Sequence, residues 1–245
     1  MRARVHGVGL DKADIRMIDW HSHILPGIDD GSQSVEESVK MLKMLAEQGV
    51  KEVIATPHFL ANNETVEDFI ARRTEAYEKL KENLFEGAPK IKLGAEVAYY
   101  SGISRLPELK ELCIEGSKCL LLEMPMTKWT EYIIKEIEEL AHRGKINLVL
   151  AHVDRYMHLQ SAKTWERLCE SGCIMQVNAS SLLSFITRPK IIKMMKEQSV
   201  HCIGSDCHNT TTRAPKIGRA YDVVEKKLGT RFVHKISDFG HYLVD

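Results

Sequence analysis

Histidines and carboxylates recur directly after short apolar segments of this chain. The first segment ends in two histidines, and most of the later segments end in one or two further candidate ligands. These residues are His21, His23, His58, Glu96, Glu123, His152, Asp206 and His208. Imidazole nitrogens and carboxylate oxygens are the ligand atoms that zinc, manganese and iron take in proteins. Eight or nine ligands exceed the needs of one ion, so the pattern predicts a site for two or three metal ions.

A glycine-flanked acidic loop follows the first pair of histidines. It reads Pro-Gly-Ile-Asp-Asp-Gly over residues 26–31, and the two glycines allow the chain to fold back over the site. Either Asp29 or Asp30 can then reach a metal ion. The competing interpretation gives both aspartates an ordinary role in a turn.

Two arginines lie close to these ligands in the sequence. Arg155 follows His152 by three residues, and Arg213 follows His208 by five. A guanidinium group binds phosphate oxygens in pairs and keeps its charge at any working pH, so the arginines favour an anionic substrate, phosphate first. The alternative is that they pair with Asp154 or other acids. Similarly, Asn178 either caps a helix or contacts substrate.

The elements that must position these residues alternate between strand and helix. The predicted strands cover residues 17–21, 52–56, 90–95, 119–123, 147–151, 174–177 and 201–204. Amphipathic helices separate them, two of them opened by capping boxes at Ser34 and Thr65, and a last helix covers about 216–228. Such alternation predicts a parallel sheet, closed or open, whose strands end at one face. The candidate ligands all belong to that face.

Composition excludes several classes of protein. The 245 residues carry 34 basic and 34 acidic side chains, so nothing in the net charge points to nucleic acid or an anionic membrane. No apolar run approaches the length of a membrane span, and the N-terminus does not have the pattern of a signal peptide. We expect a short extension over residues 1–16 and a single domain over 17–245. The six cysteines form no C-x-x-C pair, which favours a reducing cytoplasm.

Seven motifs taken in order resemble those of one known family. The stretch His-Ser-His-Ile-Leu-Pro-Gly-Ile-Asp-Asp-Gly at 21–31 resembles the first motif of the PHP (polymerase and histidinol phosphatase) superfamily. It is most similar to the bacterial capsule and exopolysaccharide tyrosine-phosphatase branch. The others are Thr-Pro-His at 56–58, Gly-Ala-Glu at 94–96, Leu-Glu at 122–123, Ala-His-Val-Asp-Arg-Tyr at 151–156, Gln-Val-Asn at 176–178 and Ser-Asp-Cys-His-Asn at 205–209. Each motif is weak alone, whereas the ordered set, spanning about residues 17–228, is specific.

The resemblance implies an α/β fold, a distorted TIM-like barrel of seven β/α units, with three divalent metal ions. Manganese is the metal it favours, with iron, zinc and cobalt as alternatives. One ion would be held by His21, His23, Glu96 and Asp206. Glu96 would bridge to a second ion with Glu123 and His152. Asp30, His58 and His208 would hold the third.

The resemblance also implies a reaction and a partner. Arg155 and Arg213 match the positions that contact phosphate, and His208 is a candidate to assist proton transfer. The implied substrate is phosphotyrosine on a bacterial tyrosine autokinase that controls capsule or exopolysaccharide synthesis. We expect no nucleic-acid partner and no stable membrane insertion, and a homo-oligomer is compatible with this interpretation.

Three other functions compete with this one. A small-molecule phosphatase of the same superfamily, such as histidinol phosphatase, would use the same ligands. An amidohydrolase also begins with His-x-His but needs a metal-bridging lysine where this chain has Glu123. A metal-binding regulatory module would not need both phosphate arginines.

A cysteine mechanism is the fourth alternative. Cys207 and Arg213 have the Cys-x5-Arg spacing of cysteine-based tyrosine phosphatases, but the intervening residues contain no glycine and Asp206 precedes the cysteine. A neighbouring carboxylate raises the pKa of a thiol, which opposes nucleophilic attack. The sequence therefore favours the metal mechanism.

The chain departs from the family pattern at two places. Trp20 replaces a smaller aliphatic residue in the first strand, and residues 236–240 lack the Asn-Pro pair that relatives carry near the C-terminus. These differences concern the terminal segment and oligomer contacts rather than the predicted metal ligands.

Overall fold

The protein, described here by a computed structural model, is defined over residues 15–142 and 145–245. Of the predicted extension at 1–16, only Ile15 and Arg16 lie within these ranges. In the part of the chain that is described, no helix combines the length and the apolar character that a membrane crossing requires.

Within the described ranges, nine short parallel strands form the centre of the fold. They are β1 (Met17–Ser22), β2 (Val50–Ala55), β3 (His58–Phe59), β4 (Lys90–Leu93), β5 (Glu96–Ala98), β6 (Cys119–Glu123), β7 (Asn147–Leu150), β8 (Ile174–Asn178) and β9 (Cys202–Gly204). Hydrogen bonds link β1, β2 and β4 into one sheet, and β3, β5, β6, β7, β8 and β9 into another. The first and last strands meet, because Asp206 N donates to His21 O at 2.8 Å and His23 N to Cys207 O at 2.9 Å.

Two of the strands that form the barrel are interrupted. β2 and β3 are separated by Thr56 and Pro57, and β4 and β5 by the pair at 94–95. Pairing continues across both breaks, since Gly94 N donates to Ala55 O at 2.8 Å and Glu96 N to Pro57 O at 3.0 Å. If each interrupted pair is counted as one strand, the described part of the barrel has seven strands. This confirms the predicted distorted α/β barrel. The break in the third predicted strand was not foreseen.

Helices cover the outside of the barrel and join its strands. They are α1 (Val35–Glu47), α2 (Val66–Lys81), α3 (Glu131–His142), α4 (Ala162–Glu170), α5 (Ala179–Leu183), α6 (Arg188–Lys196), α7 (Ile217–Leu228) and α8 (Thr230–Val244). Both predicted N-caps are confirmed, because Ser34 and Thr65 accept hydrogen bonds from the backbone N–H groups of Glu37 and Asp68. The apolar faces of these helices bury the larger of two hydrophobic clusters.

The barrel interior holds the smaller cluster and is filled by side chains. Trp20 on β1 lies in it and is almost fully buried, together with Val244 from α8. Gly240 leaves room for the indole of Trp20, because a Cβ at this position would lie 2.7 Å from the indole Nε1. Residues 236–240 belong to the helix α8, which the sequence did not predict and which packs against the bulky Trp20.

Candidate metal centre

His21 and His23 meet at the carboxyl end of β1. They are two residues apart in extended backbone, so both side chains lie on the same side of the strand. Their Nε2 atoms are 3.0 Å apart in a buried environment. The loop that follows folds back over them. Gly31 is required for this approach, because a Cβ there would lie 2.4 Å from the Cβ of His23.

Glu96 lies at the centre of the cluster. Its Oε2 is 3.1 Å from Nε2 of His21, 3.2 Å from Nε2 of His23 and 3.1 Å from Nδ1 of His58. Its other oxygen, Oε1, is 2.8 Å from Nε2 of His152. Burial acts to raise the pKa of Glu96, but the charge of His21 and hydrogen bonds from the imidazoles hold that pKa well below its usual range. The carboxylate is therefore ionised and can serve more than one cation.

Glu123 extends the cluster on the side of His152. Its Oε1 lies 3.4 Å from Nε2 of His152. Glu123, His58 and Glu96 also form one of the groups whose ligand atoms lie within 4.8 Å of one another. Burial opposes protonation of His152, but Glu123 and Glu96 raise its pKa to about 9. The same negative potential that favours a proton here favours a divalent cation.

The two aspartates of the glycine-flanked loop have different positions. Asp30 Oδ1 lies 3.3 Å from Nε2 of His58 and 3.3 Å from Nε2 of His208. With His23, these residues place four ligand atoms within 4.8 Å of one another. Asp29 points elsewhere, since its Oδ2 accepts hydrogen bonds from Nδ1 of His23 at 2.7 Å and from the backbone N of His58 at 3.0 Å. The geometry separates a candidate ligand, Asp30, from a residue that orients His23.

Asp29 and His23 form a buried ion pair. Burial opposes the charged form of each, but their mutual hydrogen bond lowers the pKa of Asp29 to about 2 and, with Glu96, raises that of His23 to about 10. The sequence left the choice between Asp29 and Asp30 open. No pattern in the loop distinguishes them, because both follow the same glycine and differ only in side-chain direction.

In three histidines of the cluster, the Nδ1 atom lies within hydrogen-bonding distance of an oxygen acceptor. Nδ1 of His21 faces Gln176 Oε1 at 3.4 Å, that of His23 faces Asp29, and that of His208 faces the backbone O of Asp206 at 3.1 Å. A proton on each Nδ1 leaves the lone pair of Nε2 directed into the cluster, as in metal-ligating histidines. His208 Nε2 has no hydrogen-bond partner within the described residues. A divalent cation is the group that these buried lone pairs fit.

Gln176 is a site residue for which no role was predicted from the sequence. Its Oε1 accepts a hydrogen bond from the backbone N of His152 at 2.6 Å and also faces Nδ1 of His21. His152 has φ 31°, a left-handed conformation that is uncommon for a non-glycine residue. Gln176 thus compensates a strained backbone and holds two histidines together. The Gln-Val-Asn motif was the only signal that could have indicated it.

Asp206 connects the cluster to both arginines. Its carboxylate accepts hydrogen bonds from Arg155 and, at 2.7 Å, from Arg213, and it lies 3.8 Å from Nε2 of His21. Burial acts to raise the pKa of Asp206, but His21 and Arg155 hold it below its usual range. Both guanidinium groups remain about one-third exposed, at 34% and 39%, so they border the open mouth of the barrel. The acid with which both arginines pair is thus Asp206 and not Asp154, so the alternative of pairing with another acid is met in this structure.

Asn178 supports Asp206 and does not cap α5 through its side chain. Its Nδ2 donates to Asp206 Oδ2 at 2.8 Å, and no side-chain cap bond is formed at the start of α5. Asp154 instead fixes the β8–α5 junction, accepting hydrogen bonds from Asn178 N at 2.9 Å and from the Ser181 hydroxyl at 2.5 Å.

The position of Cys207 opposes a cysteine mechanism. Its side chain is fully buried, and burial, followed by the charge of Asp19, raises its pKa far above the usual range of a thiol. Arg213, the partner in the Cys-x5-Arg spacing, directs its guanidinium group to Asp206 and Asp30. The chain therefore lacks an accessible thiolate at this place.

The fold and the site define a class, that of parallel α/β barrel hydrolases with a histidine–carboxylate metal centre at the carboxyl ends of the strands. Within that class, the chain belongs to the family of capsular polysaccharide synthesis proteins CpsB/CapC, whose family model matches residues 17–239.

Curated relatives and a solved structure agree with this assignment. The tyrosine-protein phosphatase CpsB of Streptococcus agalactiae serotype III (strain NEM316) is 32% identical over 227 residues, covering 87% of this chain and 91% of the relative. The tyrosine-protein phosphatase YwqE of Bacillus subtilis (strain 168) is 28% identical over 235 residues, covering 93% and 91%. A crystal structure from work on B. subtilis YwqE and Streptococcus pneumoniae CpsB, described as unique metal-dependent tyrosine phosphatases, superposes with a TM-score of 0.79. It is 24% identical and covers 93% of this chain and 94% of that chain, which supports the fold.

Proposed function

We propose that this chain is a metal-dependent protein-tyrosine phosphatase. The observation that carries the proposal is the convergence of imidazole and carboxylate groups on Glu96, with two arginines bordering the same open mouth. The relatives above bear the name of this activity, and phosphate is the anion that paired guanidinium groups recognise well.

We assign the ligands to three divalent ions. His21, His23, Glu96 and Asp206 would hold the first, and Glu96, Glu123 and His152 the second. Asp30, His58 and His208 would hold the third. Glu96 Oε2 lies 3.1 Å from Nε2 of His21 and 3.2 Å from Nε2 of His23, which supports the first group. Asp30 Oδ1 lies 3.3 Å from Nε2 of both His58 and His208, which supports the third. Manganese is our first choice, with iron, zinc or cobalt as alternatives that the same ligand types accept.

When bound, the ions supply positive charge and lower the pKa of the water that attacks phosphorus. Arg155 and Arg213 then bind the equatorial oxygens of the phosphoryl group and stabilise the charge that develops on them. Asp206 orients both guanidinium groups, and Asn178 donates to Oδ2 of Asp206, the same oxygen that Arg155 contacts.

His208 suits a ligand role better than that of a proton donor. Burial, His23 and Arg213 lower the pKa of His208 to about 4, which favours the neutral imidazole. A phenolate has a leaving-group pKa near 10, so it departs with less help from an acid than an alkoxide does. We therefore propose the reaction without a dedicated general acid.

An open cleft beside the centre would take the tyrosine side chain. It has a volume of 730 Å³, and Asp30, His58 and Glu123 form the wall nearest the cluster. Ile28 and Leu60 supply apolar surface in the same cleft, which an aromatic ring can cover. An attached peptide can leave through the open side.

The proposed substrate is the phosphorylated tyrosine region of a bacterial tyrosine autokinase that controls capsule or exopolysaccharide synthesis. The family's link to capsular polysaccharide supports this partner. All six cysteines are free thiols, which supports a reducing cytoplasm as the location. Neither nucleic acid nor membrane insertion is part of the proposal, whereas a homo-oligomer is compatible with it.

The test is hydrolysis of a phosphotyrosine peptide by metal-stripped protein, with and without added Mn²⁺. We expect activity only after metal is returned, and about three ions per chain by elemental analysis. Full activity in folded, metal-free protein would refute the proposal. Equal or faster turnover of histidinol phosphate would favour the small-molecule alternative.

A further inference from the structure

A second histidine–carboxylate group lies at the opposite end of the barrel. It consists of Glu52 on β2, His241 on α8 and Asp245, whose ligand atoms all lie within 4.8 Å of one another. Glu52 shares the inward-facing side of β2 with Ile54, because alternate residues of a strand face the same way. The last turn of α8 brings His241 and Asp245 to it.

Two lone-pair atoms in this group are buried without a donor. The His241 ring contacts the backbone O of Arg16 through Nε2 at 2.8 Å, so a neutral ring has its proton there and its lone pair on Nδ1. Nδ1 of His241 and Oε1 of Glu52 have no hydrogen-bond partner within the described ranges, although each residue is only 5% exposed. Buried acceptors without a donor are costly, and a cation between them removes the cost.

Lys92 balances part of the charge but does not satisfy these atoms. Its Nζ lies 3.7 Å from Glu52 Oε1 and 3.6 Å from Asp245 Oδ1, beyond the usual length of a hydrogen bond. The same ammonium donates to the backbone O of Val244. One lysine against two carboxylates leaves a formal negative charge beside the lone pair of His241.

We propose that Glu52, His241 and Asp245 bind a divalent ion of the zinc type. One imidazole nitrogen and two carboxylate oxygens form a ligand set that zinc accepts, and zinc binds such ligands more tightly than manganese does. The ion would tie the end of α8 to β2 and close the amino-terminal end of the barrel. This site is structural, and it is independent of the proposed phosphatase reaction at the other end.

Counting ions per chain tests the proposal. Wild type, Glu52→Gln and His241→Asn are equilibrated with Zn²⁺, freed of unbound metal and analysed for zinc content, with His142→Asn as a surface-histidine control. We expect each ligand variant to hold one ion fewer than wild type and the control to hold the same number. Phosphotyrosine hydrolysis after reconstitution with Mn²⁺ is expected to be unchanged in all of them. An equal zinc content in the ligand variants would overturn the proposal and leave His241 with a proton in place of the metal.

A third variant decides the case even if a ligand variant fails to fold. Lys92→Met removes the ammonium that competes with the ion, so we expect the zinc affinity of this site to rise about tenfold or more, because a like charge roughly 4 Å away repels a cation. Competition with a chromogenic chelator measures the affinity. An unchanged affinity in Lys92→Met would overturn the proposal.

Discussion

At the scale of single residues, the neighbours of the ligands are as specific as the ligands themselves. Asp29 holds the ring of His23, and Gln176 faces His21 while it binds the backbone of His152. Neither residue reaches the centre of the cluster. Each fixes which imidazole nitrogen is available, and that choice decides whether the cluster can bind a cation.

Asp29→Asn tests this role. The amide cannot stabilise a positive or proton-donating His23 as the carboxylate does, so we expect metal affinity to fall by about 10- to 100-fold. Competition with a chelating dye measures it, and the exposed Asp238→Asn variant is the control. Wild-type affinity in Asp29→Asn would contradict the orienting role.

Gln176→Leu tests the second supporting residue. Leucine keeps the buried volume but cannot accept the backbone hydrogen bond of His152, so that N–H loses its partner. We expect weaker metal binding together with a lower kcat, and partial recovery in Gln176→Glu, which keeps an acceptor oxygen. Equal losses in both variants would contradict the acceptor role and would point instead to the Nε2 group of Gln176, which donates to Val177 O and Asn178 Oδ1.

Cys207→Ser separates the two phosphatase chemistries. Cys207 is buried and its thiol is held in the protonated form, so we expect the variant to keep activity with a phosphotyrosine peptide in the presence of Mn²⁺. Alkylation of the folded wild type by iodoacetamide is expected to leave activity intact. Loss of all activity in a folded, metal-loaded Cys207→Ser protein would restore the cysteine mechanism.

At the scale of elements, α8 is adapted to the bulky residue in β1. Gly240 lies against the indole of Trp20, and Ser237 donates to the backbone O of Arg16 at 2.7 Å. Gly240 on α8 thereby leaves room for the indole of Trp20 on β1. The apolar contacts of α8 also close the interior cluster through Val244.

Gly240→Ala measures that adaptation. Alanine favours the helix by about 1 kcal/mol, but its Cβ would contact the indole at 2.7 Å, and such overpacking costs about 1–3 kcal/mol. We expect lower stability in urea unfolding, whereas Asp238→Ala on the exposed side of α8 is neutral or stabilising. Combining Gly240→Ala with Trp20→Phe should recover part of the loss, and strictly additive effects would contradict the contact.

The sequence predicted most of the elements because each has a local signal. Apolar runs mark the strands, and Ser34 and Thr65 mark helix starts with side chains that act on neighbouring backbone. It did not predict α8, because Gly229 and the preceding lysines have the pattern of a helix end, and a second helix begins at Thr230 directly afterwards. The break near Gly94 and the role of Gln176 depend on contacts between distant strands, which local patterns do not contain.

At the scale of the whole molecule, the proposed ions would connect strands that are far apart in the chain. Ligands from β1, β5, β6 and the loops after β7 and β9 lie around one point. Binding to the folded state alone stabilises it, by about 2.7 kcal/mol for one site at a metal concentration 100 times the Kd. Metal content should therefore govern the stability of the barrel as well as catalysis.

Chelation tests this connection. We expect treatment with EDTA to lower the melting temperature and to abolish phosphotyrosine hydrolysis, and Mn²⁺ to restore both. Differential scanning calorimetry follows the first and phosphate release the second. A melting temperature that does not respond to metal would contradict preferential binding of the ions to the folded chain.

The hydrogen bonds between β1 and the segment after β9 have a consequence for synthesis. His21 and His23 leave the ribosome early, yet their neighbours Asp206 and His208 emerge only after some 180 further residues. The barrel closes where Asp206 N donates to His21 O, so a nascent chain that stops short of this point lacks two of the proposed ligands and has an open sheet edge. Because Asp206, His208 and Arg213 all follow β9, the complete proposed site can form only after this last part of the barrel has been translated.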